Sequence, residues 1–306
     1  MSYSRRRLIL VYRKTRLQEL IERFNSWEQA KFYLKNTGSD IDDYQAEHRQ
    51  FEGALSEVLH RLHDVAPLQR LERELLPTYR FGAEDIVVTL GQDGLVANTL
   101  KYLNGQPLIA VNPDPKRFDG RLLPFKVEDL SKIVGEVMAA RRPEKRITFA
   151  QACTSDGQTL LGVNDIFVGP KTHYSARYRL EWRERRIEQS SSGIIISTGL
   201  GSTGWFKSIV AGALATTAGD THPLKDGFAW DADYLYYQVR EPFASQQTSA
   251  ELSMDRIDTG QTLLLHSQMP TGGVVFSDGM EADFLAFNSG CTVSIGVAPM
   301  SGRLVV

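Results

Sequence analysis

Cysteine and long apolar runs are both scarce in this sequence. Only two cysteines, Cys153 and Cys291, occur among 306 residues, which argues against a disulfide framework or a zinc site and favours a reducing compartment. No segment approaches the ~20 consecutive apolar residues of a membrane-spanning helix. The apolar run Leu8–Tyr12 is too short for the core of a signal peptide. We therefore expect a cytoplasmic protein that does not contact a membrane.

A large charge of one sign is also missing. The chain has 35 basic and 37 acidic residues, a formal charge of -2, which gives no reason to expect a nucleic-acid partner. Its six histidines form no H-E-x-x-H or similar pair, so no metal ligand set is predicted within the chain. The remaining composition is that of an ordinary globular protein, long enough for two domains.

The amino-terminal part, residues 1–124, has the pattern of a Rossmann-like parallel α/β domain. Apolar periodicity predicts a buried strand at 8–12 and helices at 15–24, 27–34, 45–65 and 68–76. Residues 85–112 have the order strand, turn, helix, strand. This is a βαβ unit, and it implies a parallel sheet.

The pattern changes after residue 124. Residues 125–290 open with a helix near 127–140 and continue as short, often alternating strands separated by turn residues. Such strands are typical of a β-rich, sandwich-like domain. One helix, near 205–215, interrupts them, and residues 291–306 form a final strand. The predicted fold class is therefore α/β followed by all-β.

Gly199, Gly201 and Gly204 have the G-x-G-x-x-G spacing of a dinucleotide-binding turn. A dehydrogenase would need a second parallel strand after the following helix. The residues found there have the composition of a loop, and the neighbouring strands are of the antiparallel kind, so hydride transfer is not expected. A glycine turn at a helix N-terminus still suits anions, although it could equally be a packing turn.

The turn "GQDG", residues 91–94, also follows a buried strand and begins a helix. It places Asp93 at the carboxyl end of a parallel strand, where α/β proteins bind ligands. Alone, this aspartate could simply cap the helix. In the same way, Asn164-Asp165 could form a strand-end turn, and Trp205 could belong to the core.

Taken in order, several segments resemble the NAD kinase and diacylglycerol kinase superfamily. "TLGQDG" resembles its G-G-D-G-T motif, and "VNDIFVG" is similar to its Asn-Glu segment. "STGLGSTGWFKS", residues 197–208, resembles the S-T-P-T-G-S-T-A-Y-x-x-S stretch of NAD kinases. "AVNPDPKRFDGRL" and Trp205 resemble the mitochondrial-type NAD kinases, and "SDGMEADF" resembles a late Asp-Gly segment.

The resemblance implies transfer of the ATP γ-phosphoryl group to the 2′-hydroxyl of NAD, giving NADP, with Mg²⁺ or another divalent metal. It implies Asp93 as the general base and a homo-oligomer as the assembly. It also allows the final strand to return to the first domain. The implied nucleotide-binding positions are Gly91, Gly94, Leu95, Asn164, Asp165, Gly201, Ser202, Thr203, Gly204, Trp205 and Ser208.

The first motif departs from the family pattern at Gln92 and Leu95, which replace a glycine and a threonine. Two alternatives therefore stay open: a kinase of another hydroxylated substrate, such as a lipid or a sugar, and a non-catalytic NAD(P)-binding protein. The phosphoryl donor is also open among ATP, another triphosphate and polyphosphate. For "SDG", residues 277–279, a plain hairpin turn is the favoured interpretation because Asp-Gly supplies the positive φ that tight hairpins need.

Overall fold

Helices and strands are interspersed up to residue 145, and strands dominate after it. The computed structural model describes residues 6–216 and 223–306. It contains two units, one ending at Lys145 but including Arg303–Val306, the other formed by Arg146–Gly302. In the described part of the chain, no helix combines the length and apolar character needed to cross a bilayer.

The first unit contains five helices and four complete strands among its described residues. In chain order these are β1 (Leu8–Tyr12), α1 (Arg16–Phe24), α2 (Trp27–Asn36), α3 (Ile41–Leu62), β2 (Leu68–Glu72), β3 (Ile86–Leu90), α4 (Asp93–Leu100), β4 (Pro107–Val111) and α5 (Leu130–Met138). Short 3₁₀ turns cover Arg73–Thr78 and Val127–Asp129. The capping box that begins α1 is made by Thr15 and Gln18, so this helix starts where its sequence predicts.

The second unit is built mainly from strands. They are β5 (Glu144–Thr154), β6 (Thr159–Gly162), β7 (Asp165–Pro170), β8 (Ala176–Trp182), β9 (Arg185–Ser191), β10 (Ile194–Ser197), β11 (Tyr234–Val239), β12 (Met254–Asp258), β13 (Leu263–Ser267), β14 (Gly273–Ser277), β15 (Met280–Ala286) and β16 (Thr292–Val305). A 3₁₀ turn, Gly201–Thr203, precedes the helix α6 (Trp205–Thr216).

A parallel sheet in the order β2-β1-β3-β4 forms the centre of the first unit. The end of β16 extends it, because Arg303 and Leu304 pair in parallel with Pro107 and Leu108. Strands β1, β3 and β4 are almost wholly buried, as expected where helices cover both faces of a parallel sheet. The α/β character predicted for the amino-terminal part is confirmed.

The prediction of a helix at 68–76 is wrong. Residues 68–72 form β2, an edge strand parallel to β1, and a 3₁₀ turn containing Pro77 follows it. Leu71 is buried while Gln69 and Arg70 are exposed. Pairing with β1 satisfies the backbone groups of this segment, so a long-range contact overrides the helical propensity of its leucines.

Residues 125–145, placed with the β-rich domain in the sequence analysis, lie in the first unit of the structure. Phe125, Leu130 and Val134 belong to the same buried cluster as Leu10 and Val88 of the central strands. The amphipathic helix α5 thus buries its apolar side on the parallel sheet, which explains why the boundary falls after it.

Antiparallel pairing prevails throughout the second unit. One sheet has the order β12-β11-β10-β7-β14-β15, and β16, β13, β8 and β9 form another run of neighbours. Buried side chains from both groups of strands, among them Val168, Tyr178, Tyr237 and Leu265, form a single core. The β-rich, sandwich-like character predicted for this part is confirmed.

Candidate functional site

The "GQDG" turn joins β3 to α4 at the carboxyl edge of the parallel sheet. Gln92 is the N-cap residue but makes no side-chain capping bond, and Asp93 is the first residue of the helix. The Asp93 carboxylate does not cap α4. It accepts hydrogen bonds from the backbone N–H groups of Arg121 and Leu122, at 3.2 and 3.1 Å. An ionised carboxylate has about four acceptor positions, so these two bonds leave capacity for a further donor.

The loop that reaches Asp93 is ordered from its other end by Asn112. The Asn112 amide donates to the carbonyl of Phe118 at 3.1 Å, and its oxygen accepts from the Asp114 N–H at 3.0 Å. The same loop contains the segment "NPDPKRFDGR". Asp93 and Asn112 together fix the loop beside the start of α4.

The three other predicted residues of this turn lie close to one another. Gly91 and Leu95 are buried, whereas Gly94 is exposed. A Cβ at Gly91 would lie 2.7 Å from a terminal methyl of Leu95, and a Cβ at Gly94 would meet nothing within 4 Å. Leu95 therefore packs against the turn, and Gly94 leaves open space at the helix start.

In the second unit, the register of β7 and β10 brings two motifs together. Asp165 pairs with Ser197 and Ile166 with Ile196 in an antiparallel ladder. The hydroxyl of Thr198 donates to the carbonyl of Val163 at 2.6 Å. The segment containing Asn164-Asp165 and the stretch 197–208 are thus joined by backbone and side-chain hydrogen bonds. The strands on both sides of β10 are antiparallel to it, so this glycine turn is not part of a Rossmann crossover.

Glycine is required at two positions of this turn. A Cβ at Gly199 would lie 1.8 Å from the carbonyl oxygen of Ala229, and one at Gly201 would lie 1.9 Å from that of Asn164. Both obstacles are backbone atoms, which cannot rotate away. Two of the glycines in the G-x-G-x-x-G pattern are therefore explained by close approach of the main chain.

Replacing Gly201 with alanine is expected to destabilise the protein by about 2 kcal/mol or more, because overpacking against fixed atoms usually costs 1–3 kcal/mol. Gly212 in α6 is the matched control, since a Cβ there meets nothing within 4 Å. Gly212→Ala should be neutral or stabilising by up to about 1 kcal/mol. Urea denaturation measures the free energy of unfolding of both variants. Equal stability of the two would contradict this packing argument.

The hydroxyl of Ser202 is used inside the protein. Ser202 is fully buried; it donates to the carbonyl of Gly199 at 2.7 Å and accepts from the N–H of Phe228 at 3.0 Å. The residues after it are more accessible. Thr203 and Trp205 are partly exposed, and Gly204 and Ser208 are exposed. The accessible face of this turn is therefore its carboxyl-terminal half.

Trp205 has aromatic and cationic neighbours. Its ring stacks on Phe167 with 5.6 Å between ring centroids, and the Arg240 guanidinium lies 5.3 Å from the ring centroid. These two contacts hold the indole in place, and it remains partly accessible.

Asp165 is a buried carboxylate without a hydrogen-bond donor. It is 6% exposed, and the described residues supply no hydrogen bond to its side chain or to the side chain of Asn164. Burial, together with the charge of Asp278, raises the pKa of Asp165 to about 7. A buried carboxylate without a hydrogen-bond donor costs stability, and the cost would be relieved by a ligand that carries hydroxyl groups.

The side chain of Asp278 caps the backbone of the Asn164-Asp165 segment. Its carboxylate accepts from the backbone N–H groups of Val163, Asn164 and Asp165 at 3.0, 2.6 and 3.4 Å. Asp278 and Gly279 form the tight turn between β14 and β15, with φ of 55° and 68°. The hairpin turn predicted for 277–279 is confirmed. No local pattern predicts the capping contact, because its partner is more than 110 residues away.

Asp278→Gly tests this cap because glycine keeps the left-handed turn and removes the carboxylate. We expect a loss of about 2 kcal/mol or more, since each unsatisfied buried group costs about 1–3 kcal/mol. Asp278→Asn, which keeps one acceptor oxygen and tolerates positive φ, should lose less. Thermal and urea unfolding compare the two, and full stability of the glycine variant would show that the cap is dispensable.

Within the described ranges, no group of three or more His, Cys, Asp and Glu side chains is arranged to hold a metal ion. Mg²⁺ is commonly held by only one or two carboxylates together with substrate phosphates.

No family model matches the sequence, and no curated protein matches it. Two solved structures are similar over nearly all of the chain. Yeast NADH kinase complexed with NADH matches with a TM-score of 0.59 and 13% identity, covering 99% of this chain and 84% of that one. An NAD kinase from Archaeoglobus fulgidus in complex with ATP matches with a TM-score of 0.56 and 16% identity, covering 98% and 93%. The chain therefore has an NAD kinase-like fold.

Proposed function

We propose that this protein is an NAD kinase, which transfers the terminal phosphoryl group of ATP to the 2′-hydroxyl of NAD. The observation that carries the proposal is the Asn164-Asp165 pair. Both side chains lack hydrogen-bond partners in the described structure, and the peptide N–H groups of this segment are fixed by Asp278. An ionised carboxylate only accepts hydrogen bonds, and an amide both donates and accepts, which suits the hydroxyls of a ribose.

The second unit would supply the other contacts to the dinucleotide. Thr203, Gly204 and Ser208 lie on the accessible half of the turn, and the partly exposed Trp205 would contact a base or a nicotinamide ring. Gly201 and Ser202 would act by shaping this turn, since both are buried and bonded within it. The sequence resemblance to the NAD kinase stretch at 197–208 supports the same assignment.

Asp93 would act as the general base. As the 2′-oxygen of NAD forms a bond to the γ-phosphorus, the Asp93 carboxylate takes the hydroxyl proton, and the bond from that phosphorus to the β,γ-bridging oxygen breaks to release ADP. Positioning and charge neutralisation supply most of the rate in such transfers. A divalent metal would enter with the donor's phosphates, and no step above depends on it.

The test is direct. Purified protein is incubated with ATP, Mg²⁺ and NAD, and the product is separated by ion-exchange chromatography and assayed with an NADP-specific dehydrogenase. We expect NADP in amounts equal to the ADP formed. NADP offered as the acceptor is the control, because its 2′-position is already phosphorylated. Absence of NADP with ATP, other triphosphates and polyphosphate would overturn the proposal.

A non-catalytic NAD(P)-binding protein is the second candidate, favoured by one observation. Leu95 is buried against Gly91 at a position where the family motif has a hydroxyl, so the turn lacks a polar group that could contact phosphate. Binding of NAD measured by calorimetry, without turnover under any of the above conditions, would favour this candidate over the kinase.

Three finer assignments belong to the same proposal. The loop at 112–121 and Trp205 support the mitochondrial-type branch of NAD kinases. A homo-oligomer and a cytoplasmic location complete it, with sedimentation velocity and imaging of the tagged protein as their measurements. The free cysteines Cys153 and Cys291 are compatible with a reducing compartment.

A further inference from the structure

The loop after β4, residues 112–122, is folded by its own contacts. The carbonyl oxygen of Asp114 accepts from the N–H of Phe118 at 3.0 Å, and the carbonyl of Phe118 accepts from the Asn112 amide. A Cβ at Gly120, which has a φ of 63°, would lie 2.7 Å from the same amide nitrogen. Both halves of the loop thus pack on the Asn112 side chain, so a contact made by one half restrains the other.

Helix α3 contacts this loop at two places. The guanidinium of Arg117 donates to the Asp43 carboxylate at 2.6 Å, and the Gln50 amide donates to the carbonyl of Pro113 at 3.1 Å. Asp43 and Gln50 are seven residues apart, which is two helical turns, so both side chains lie on the same face of α3. Asp43 lies outside every motif that pointed to the function. The loop is therefore attached both to α3 and to the carboxylate of Asp93.

The Asp43 carboxylate is shared between two guanidinium groups. Its second oxygen accepts from Arg16, at the start of α1, at 2.8 Å. Arg16 is itself fixed by an ion pair with Glu47 and by the ring of Tyr44, whose centroid lies 4.4 Å from the guanidinium. Hydrogen bonds from Arg117 and Arg16 lower the pKa of Asp43 to about 2. The carboxylate therefore stays ionised throughout the pH range in which a kinase is assayed.

This network of charges is partly exposed. The side chains of Arg117 and Asp43 are 29% and 37% exposed. Exposed ion pairs contribute little to global stability, although several charges in one network contribute more than an isolated pair. We therefore expect the network to act on the order of the loop, because a loop opens at a lower free-energy cost than buried strands unfold. Removing the Asp43 charge should loosen the loop and leave the fold intact.

We propose that Asp43 and Arg117 are positioning residues for the phosphoryl transfer. By holding the loop against α3, they keep the N–H groups of Arg121 and Leu122 on the Asp93 carboxylate. These two bonds fix the direction of the carboxylate and leave its other acceptor positions for the substrate hydroxyl. Misplacement of a catalytic group by about 1 Å can lower a rate about 100-fold. The role in the transfer rests on the proposed function, whereas the order of the loop does not.

Hydrogen exchange of the full chain, followed by mass spectrometry, tests the order of the loop. Asp43→Asn keeps the size of the side chain and removes its charge, so we expect the peptide amides of Arg121 and Leu122 to exchange at least tenfold faster, with those of β3 unchanged. Asp42→Asn is the matched control, because it removes the same charge from an exposed position in the same first turn of α3. Unchanged exchange in Asp43→Asn, or an equal effect of Asp42→Asn, would overturn the proposal.

Initial rates of NADP formation test the role in the transfer. Asp43→Asn and Arg117→Gln should each lower kcat at least fivefold and change the KM for NAD and for ATP less than twofold, because neither residue is proposed to touch a substrate. The double variant should lose no more than the poorer single variant, since both substitutions remove one contact. Additive losses, or a kcat of Asp43→Asn within twofold of the wild type, would contradict the positioning role.

Failure of this inference and failure of the proposed function give different results. If the wild type forms NADP and Asp43→Asn retains its kcat, the kinase stands and the positioning role is wrong. If the wild type forms no NADP but the loop exchanges faster in Asp43→Asn, the kinase is wrong and the contact that orders the loop stands.

Discussion

Asp93→Asn is expected to lower kcat for NADP formation by about 10²- to 10⁴-fold, the usual contribution of a positioned general base. The substitution keeps the size of the side chain and removes its ability to take a proton. KM for NAD should change little, because the side chains proposed to bind NAD, Asn164 and Asp165, are in the second unit. Initial rates over a range of NAD concentrations separate the two parameters.

The structure also offers a competing explanation for such a loss. Asp93 anchors the loop through the N–H groups of Arg121 and Leu122, so a variant could act by loosening this loop. Asn112→Ala is the matched control, because Asn112 orders the same loop through Phe118 and Asp114 and leaves the carboxylate intact. A fall in kcat as large for Asn112→Ala as for Asp93→Asn would reduce Asp93 to a positioning residue.

Local signals were sufficient to predict most of the fold. The apolar run of β1, the strand–turn–helix–strand order around Asp93 and the Asp-Gly hairpin at 278–279 depend on neighbours in sequence, and the structure contains all three. The error at 68–76 has the opposite cause. That segment is a strand because β1, about 60 residues earlier, pairs with it, and no local pattern contains that information.

The candidate site was predictable as a set of residues but not as an arrangement. Motif resemblance selected Asn164-Asp165 and the stretch at 197–208, yet their adjacency comes from the register between β7 and β10. The cap by Asp278 is not predicted, because its carboxylate meets the backbone N–H groups of this segment only in the folded chain. Resemblance identified the motifs; packing decides which side chains are left without partners.

Asp165→Asn is expected to stabilise the protein at alkaline pH relative to the wild type. In the unfolded chain this carboxyl group titrates near its usual value of 3.8, whereas burial and Asp278 raise its pKa to about 7 in the folded protein. Between these values the native state keeps a proton that the unfolded chain has released. The free energy of unfolding therefore falls as pH rises through this range, and the loss is complete above pH 7.

The size of the effect follows from the same shift. A difference of one pKa unit corresponds to about 1.4 kcal/mol, so the contribution of Asp165 should change by about 3 kcal/mol between pH 5 and pH 8. Urea unfolding gives the free energy of unfolding of wild type and of Asp165→Asn at both pH values. In the difference between the two proteins, the titration of all other groups cancels. We expect the variant to gain stability relative to wild type by about this amount as the pH is raised. If the free energy of unfolding depended on pH in the same way for both proteins, the ionisation of Asp165 would not cost stability.

The same variant should bind NAD at least tenfold more weakly at pH 8, because a neutral amide replaces an ionised acceptor, and hydrogen bonds to charged groups contribute about 1.5–3 kcal/mol. In the wild type, affinity should fall as pH drops below 7, where Asp165 becomes protonated. A variant that is more stable but binds NAD more weakly would show that Asp165 serves ligand binding at a cost in stability. Greater stability with unchanged NAD affinity would leave the buried carboxylate unexplained and would remove the main support for nucleotide binding by the second unit.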